Sequence, residues 1–231
     1  MQQTSGHTLK AFDEDIDRLR ALISQMGGLA EHAIGEAMRC LIQRDTEGAL
    51  RVIENDRKLD ALEVETERRA VQLIALRAPM AGDLRDVVAA LKISGVVERI
   101  GDYGKNIAKR VPLIGNANKI EPISLLPEMA RIATAMVHDV LDAFVQRDAD
   151  VALQVCERDA AVDDFYDSIF RALLTHMMEN PHNIGHATHL LFVAKNLERV
   201  GDHATNIAEM VYYAATGQHM TDRNRTDPST V

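Results

Sequence analysis

Two stretches decide the fold of this 231-residue chain: Glu98-Arg99-Ile100-Gly101-Asp102-Tyr103-Gly104-Lys105-Asn106-Ile107-Ala108 and Glu198-Arg199-Val200-Gly201-Asp202-His203-Ala204-Thr205-Asn206-Ile207-Ala208. They are one motif, Glu-Arg-(Ile/Val)-Gly-Asp-x-x-x-Asn-Ile-Ala, repeated at an offset of 100 residues. A second echo lies upstream of each. Arg44-Asp45-x-x-x-Ala49-Leu50-x-Val52-x-Glu54-x-Asp56-x-x-x-Asp60 returns at an offset of 103 as Arg147-Asp148-x-x-x-Ala152-Leu153-x-Val155-x-Glu157-x-Asp159-x-x-x-Asp163. The difference in offset falls near Pro79 and Pro181, where a turn tolerates a change of length. The chain is therefore a duplicated unit, visible by comparing it with itself.

Breakers give each unit three helices. The first unit reads as helices over about Leu9–Arg44, Asp45–Arg77 and Ala81–Val111, with Asp13 and Asp15 suited to the positive end of the first. The second reads as Leu125–Arg147, Asp148–Asn180 and Ile184–Gly217. Between them, the stretch from Pro112 to Pro127 holds three prolines, Gly115 and two asparagines and reads as a linker. The expected architecture is all-α: two tandem, pseudo-symmetric three-helix bundles over residues 1–112 and 125–217, a linker over 113–124, and a polar, disordered tail over 218–231.

Composition agrees. Aromatics are 4% of the chain, Trp is absent and Pro numbers 6, which suits helices and argues against a β-sandwich or barrel. The formal net charge of -9 gives no basic footprint for nucleic acid. No run of about 18 apolar residues is present to span a membrane. Met1–Thr8 lacks an apolar signal core, and Cys40 and Cys156 sit among apolar helical neighbours, so a reducing, cytoplasmic location is expected.

Against that ordinary background, the acids stand in unusual places. An apolar seam over Leu84, Val88, Leu91 and Gly95 continues at the same spacing onto Glu98 and Asp102. The equivalent seam of the last helix reaches Glu198, with Asp202 alongside. The seams Ala49, Ile53, Asp56, Asp60 and Ala152, Cys156, Asp159, Asp163 do the same. Folding the helices antiparallel about turns near residues 80 and 181 sets Asp56 and Asp60 level with Glu98 and Asp102, and Asp163 level with Glu198 and Asp202. Like charges brought so close repel unless a cation or proton compensates. Two sites of four carboxylates each point to hard cations: Mg, Mn, Fe, Ca or Zn. Gly101 and Gly201 leave room beside the acids, and Asn106 and Asn206 stand one turn further to support them.

These motifs resemble those of the PhoU family, bacterial regulators of phosphate uptake, over nearly the whole chain; the carriers are the two Glu-Arg-(Ile/Val)-Gly-Asp stretches, the Asp-x-x-x-Asp pairs before them, and Asn206-Ile-Ala-Glu-x-Val-Tyr-Tyr. The resemblance implies two symmetric three-helix bundles, with multinuclear metal sites at Asp56, Asp60, Glu98 and Asp102 and at Asp159, Asp163, Glu198 and Asp202. It also implies a non-enzymatic negative regulator of phosphate-starvation signalling. Such proteins contact a phosphate ABC transporter and a PhoR-type sensor histidine kinase, and a homodimer is expected.

Two other readings remain open on the residues alone. One is a metal-free helical adaptor. The other is a ferritin-like di-metal enzyme, but its Glu-x-x-His signature occurs only as Glu179-Asn180-Pro181-His182, where the proline interrupts the helix. His182, His186 and His189 share helical spacing and read as surface or turn residues. His203 follows Asp202 and can reach the edge of the second site. Arg99 and Arg199 point off the seam and are expected to pair with surface acids.

Overall fold

The computed structural model describes residues 4–114 and 124–220, side chains of residues 4–11 apart. Its helices are α1 (Thr4–Gln43), α2 (Thr46–Asn55), α3 (Arg57–Arg77), α4 (Gly82–Ala108), the short α5 (Val111–Ile114), α6 (Leu126–Gln146), α7 (Ala149–Glu179) and α8 (Ile184–Thr216). A 3-10 turn, Pro181–Asn183, joins the last two. No strand occurs among the described residues.

The duplication shows most directly at its two matching turns. Arg44 and Arg147 both adopt φ of 57°, a left-handed conformation that ends a helix. The next residue donates its backbone N–H back into the helix just ended, Asp45 to the Cys40 carbonyl and Asp148 to the Ala143 carbonyl, each at 2.9 Å. The same aspartates then cap the following helix. The Asp45 carboxylate accepts from the Gly48 N–H at 2.7 Å, and that of Asp148 accepts from the N–H groups of Asp150 and Val151 at 3.0 Å. The repeated Arg-Asp dipeptide is thus a stop and a start in two residues.

Helices α1, α3 and α4 form one unit, and α6, α7 and α8 the other. The units share a core, because α4 packs along α8 and α1 along α6, with α3 and α7 outside them. On α1 the buried stripe Ile16, Leu19, Ile23, Met26, Ala30, Ile34 and Leu41 keeps the three-to-four spacing of one helical face.

Several details differ from the sequence expectation. The second helix breaks at Asp56, where the Asp56 carbonyl accepts from both Leu59 and Asp60 N–H groups in a tightened turn; its counterpart in α7 runs through unbroken. The first helix starts at Thr4, ahead of Asp13 and Asp15; Asp15 instead meets Arg77 at the end of α3, at 3.2 Å. The packed face of α4 is Val87, Ala90, Ile93, Val97, Ile100, Gly104 and Ile107. The predicted seam lies on its flank: Leu84 is exposed and Val88, Leu91 and Gly95 are half-buried. Of the expected linker, residues 115–123 lie outside the described residues, as do 221–231 of the expected disordered tail. The first tail residues pack back on α8 beyond its Gly217 cap: His219 stacks on Tyr213 with ring centroids 4.5 Å apart, and Met220 reaches Cys156.

Candidate metal centres

In the first unit, Glu98 and Asp102 stand on α4, Asp60 on α3, and Asp56 at the break between α2 and α3. Gly101 sets their register. A Cβ there would lie 2.1 Å from Leu59 Cδ2 and 4.0 Å from Asp56 Oδ1, so α3 crosses directly over the glycine of the motif. Six residues earlier along α4, Glu63 Oε1 approaches Gly95 in the same manner, at 3.3 Å. The second unit repeats the crossing, with Asp159 Oδ1 3.0 Å from where a Gly201 Cβ would stand. The antiparallel mirror drawn from the sequence therefore describes the register of both helix pairs.

Electrostatics shows the acids of each unit acting on one another. The Glu98 carboxyl is pushed up to about 7, first by burial and then by Asp102, Glu63, Asp60 and Asp56. Asp163 is raised by burial, then by Glu198, Asp202 and Asp167, against a smaller lowering by Lys195. Each predicted set, except Asp159 in the second unit, thus registers as one field of like charges. Asp159 is placed there by its contact over Gly201.

The acids do not lie in the core, as the seam reading had them. Asp60, Asp163 and Asp202 are exposed, and the remaining five are partly buried. The clefts open to solvent because the packed stripes of α4 and α8 run one position to the side of the motif acids. Among the described residues, no group of three or more His, Cys, Asp or Glu stands gathered to hold a metal ion. The donor chemistry nonetheless fits a hard cation: every predicted donor is a carboxylate oxygen, and their mutual repulsion is what a divalent ion relieves. At the first centre Asp56, Asp60, Glu98 and Asp102 would hold it, and at the second Asp159, Asp163, Glu198 and Asp202.

Four participants escaped the sequence reading. Lys105 Nζ bonds Asp56 and lies 3.1 Å from Asp102 Oδ1. Lys195 pairs with Glu198. Glu63 and Asp167 add negative charge. Glu63 is signalled by its i+3 spacing from Asp60 on one helix face, but nothing in the sequence singles out the lysines from other charged residues nearby.

Neighbouring residues take other roles. His203 turns toward Tyr103 across the α4–α8 contact, and Asn206 Nδ2 lies 3.5 Å from His203 Nδ1. Arg99 and Arg199 make no ion pair within 4 Å among the described residues; Arg99 acts on the acid Glu63 at longer range, and both arginines act on Tyr103 and His203. His189 meets Arg110 at 3.1 Å, and His182 is exposed in the 3-10 turn, so the three histidines assemble no site. Glu179 closes α7 and Pro181 opens that turn, which separates Glu179 from His182 and leaves no helical Glu-x-x-His.

Comparison with known proteins agrees with the duplication. The family model described as the PhoU domain matches residues 23–111 and again 126–211. A phosphate-specific transport system accessory protein PhoU homolog of Zymomonas mobilis is 56% identical over 220 residues, covering 95% of this chain and 93% of that protein. One of Caulobacter vibrioides is 45% identical over 218 residues, covering 94% and 95%. The crystal structure of PhoU from Pseudomonas aeruginosa superposes with a TM-score of 0.85 at 34% identity, over 90% of this chain and all of that one. The PhoU structure from Streptococcus pneumoniae does so at 0.84 and 27% identity, over 90% and 99%. With both repeats matched and relatives aligned over nearly their full lengths, the chain belongs to the PhoU family.

Proposed function

We propose that this protein is a non-enzymatic accessory regulator of phosphate uptake, working in the cytoplasm as a homodimer. It restrains the phosphate-starvation response by contacting a phosphate ABC transporter and a sensor histidine kinase of the PhoR type. The observation that carries this reading is end-to-end similarity to proteins named as accessory to the phosphate-specific transport system. No helix among the described residues is long and apolar enough to cross a membrane, so membrane partners are met through their exposed domains. Divalent cations at the two carboxylate clefts join α3 to α4 and α7 to α8, and so fix the outer surface that partners meet.

The direct test is complementation. In a bacterium lacking its own copy, the chain is expected to silence a phosphate-starvation reporter in phosphate-rich medium. A reporter that stays on with the folded chain present rejects the reading. Elemental analysis of protein purified without added metal or chelator tests the cations separately. Protein carrying the replacements E98A and D102A is expected to lose half the bound metal and to bind kinase and transporter domains more weakly. Loss of metal with unchanged partner binding removes the organising role of the metal while leaving the regulator reading in place.

A further inference from the structure

The two clefts share their four motif acids but not their cations. Lys105 of the first motif corresponds to Thr205 in the second, which is buried and bonds the Asp202 carbonyl at 2.7 Å. Lys195 corresponds in turn to Gly95. Among the described residues, one lysine therefore pairs with the motif acids of each cleft, supplied from opposite ends of the repeated motif.

Their settings differ in strength. Lys105 is held by two carboxylates from different helices: Asp56, whose side chain is 6% exposed, and Asp102. It ties the α2–α3 break to α4 as a bound cation would. Among the described residues Lys195 makes its one ion pair with Glu198, on its own helix, and acts on Asp163 only at longer range; its side chain is 41% exposed against 27% for Lys105. The pairing leaves the buried Glu198 Oε2 without a hydrogen bond of good geometry. Lys195 also rests 5.0 Å from the Tyr166 ring centroid, a second favourable position on the cleft wall.

We propose that Lys105 and Lys195 are resident counter-cations that oppose divalent-metal binding at their own clefts, Lys105 more strongly, so that the second cleft fills first. This rests on the reading above that the clefts take divalent cations. A metal entering the first cleft must displace an ammonium held by two carboxylates, and the compact lysine charge competes for the same oxygens. In the second cleft only one carboxylate must be released, and the ammonium retains the aromatic face beside it.

Calorimetric titration of the full metal-free chain with Mn2+ tests this in the wild type, Lys105→Met and Lys195→Met; methionine keeps the stem and removes the charge. The wild type is expected to show two affinity classes. Lys105→Met should tighten the weaker class about tenfold or more, roughly the cost of one lost charge-assisted contact. Lys195→Met should tighten the stronger class by a smaller factor. Glu98→Gln and Glu198→Gln assign the classes, by abolishing the weaker and the stronger respectively. A Lys105→Gln variant serves if the methionine variant folds poorly. Mn2+ uptake with affinities unchanged in both lysine variants, or a first cleft that fills before the second, overturns this proposal and leaves the metal reading standing. No uptake by any of these proteins overturns both.

Discussion

Tyr103 and His203, one hundred residues apart, meet ring to ring between α4 and α8, with centroids 5.5 Å apart, planes at 17°, and the hydroxyl 2.9 Å from Nε2. They are equivalent positions of the repeat, each directly following the aspartate of its motif. A self-contact of equivalent positions marks the local twofold relating the two units, and it places the two acidic clefts on either side of one shared helix pair.

His203 should make stability sensitive to mild acid. Burial lowers its pKa first, and Arg99 and Arg199 add to the lowering against the pull of Asp202. The unfolded imidazole titrates near 6.5, so between that value and the lower folded value the unfolded state binds more protons. The stabilisation is complete above about pH 6.5 and is lost as pH falls below it. Thermal melts from pH 7.5 to 5 should show a smaller acid loss for His203→Gln than for the wild type. Parallel losses in the two proteins reject this account.

Glu98 should act in the opposite direction. Its folded pKa, about 7, lies above the ordinary 4.5, so the folded state holds the extra proton between those values. Stability of the metal-free protein should therefore fall as pH rises from about 4.5 to 7, through this group alone. Glu98→Gln removes that slope, and a divalent ion bound beside the carboxylate suppresses it. The check is a pH series of melts with chelator and with Mn2+, comparing wild type and variant. A slope that survives the substitution places its origin elsewhere.

Glycines with different surroundings should respond oppositely to alanine. A Cβ at Gly104 would stand 3.0 Å from both the Ala33 carbonyl carbon and the Ile34 nitrogen, backbone that cannot turn aside. Gly104→Ala should separate α1 from α4 and cost about 1–3 kcal/mol, outweighing the roughly 1 kcal/mol gained in helix propensity. Gly28, within α1, has nothing within 4 Å of such a Cβ, so Gly28→Ala should stabilise by about 0.5–1 kcal/mol. Urea unfolding measures both; a stabilising Gly104→Ala contradicts the close approach.

Periodicity and repetition made most of this fold readable, because both are properties of position along the chain. The Arg44 and Arg147 turns, the register of Asp56 against Gly101 and the helix ends near Pro79 and Pro181 all followed from spacing. What escaped depends on how helices rotate against a third partner. Leu84, Val88 and Leu91 form a regular apolar row, but α8 and α1 claim the adjacent face of α4, which turns Glu98 and Asp102 outward to the rim. The break at Asp56 was equally hidden, since Asp159 occupies the same place in an unbroken α7. The lysines could not be foreseen, because the repeat comparison reads shared residues and Lys105 and Lys195 are where its halves differ.

The end of the molecule away from the motifs offers a test of how tightly the units are joined. Asp86 of α4 is buried, at 5% exposure, and stands between two arginines. Arg20 of α1 lies 3.1 Å from Oδ2, and Arg147, from the turn between α6 and α7 in the other unit, lies 3.4 Å from Oδ1. Burial raises the Asp86 pKa first, and the two guanidiniums oppose that rise. Asp86→Ala leaves both guanidiniums without this partner. Their side chains retain 21% and 41% exposure, so water recovers part of the loss, and the expected cost is about 1–3 kcal/mol, below that of a fully buried pair. Arg20 is closer and less exposed than Arg147, so a double-mutant cycle should give Asp86 a larger coupling to Arg20 than to Arg147. Because the apolar core runs through both units, unfolding should remain a single transition in every variant. A second transition in Asp86→Ala would show instead that this ion cluster, and not the α4–α8 packing, makes the duplicated halves fold as one.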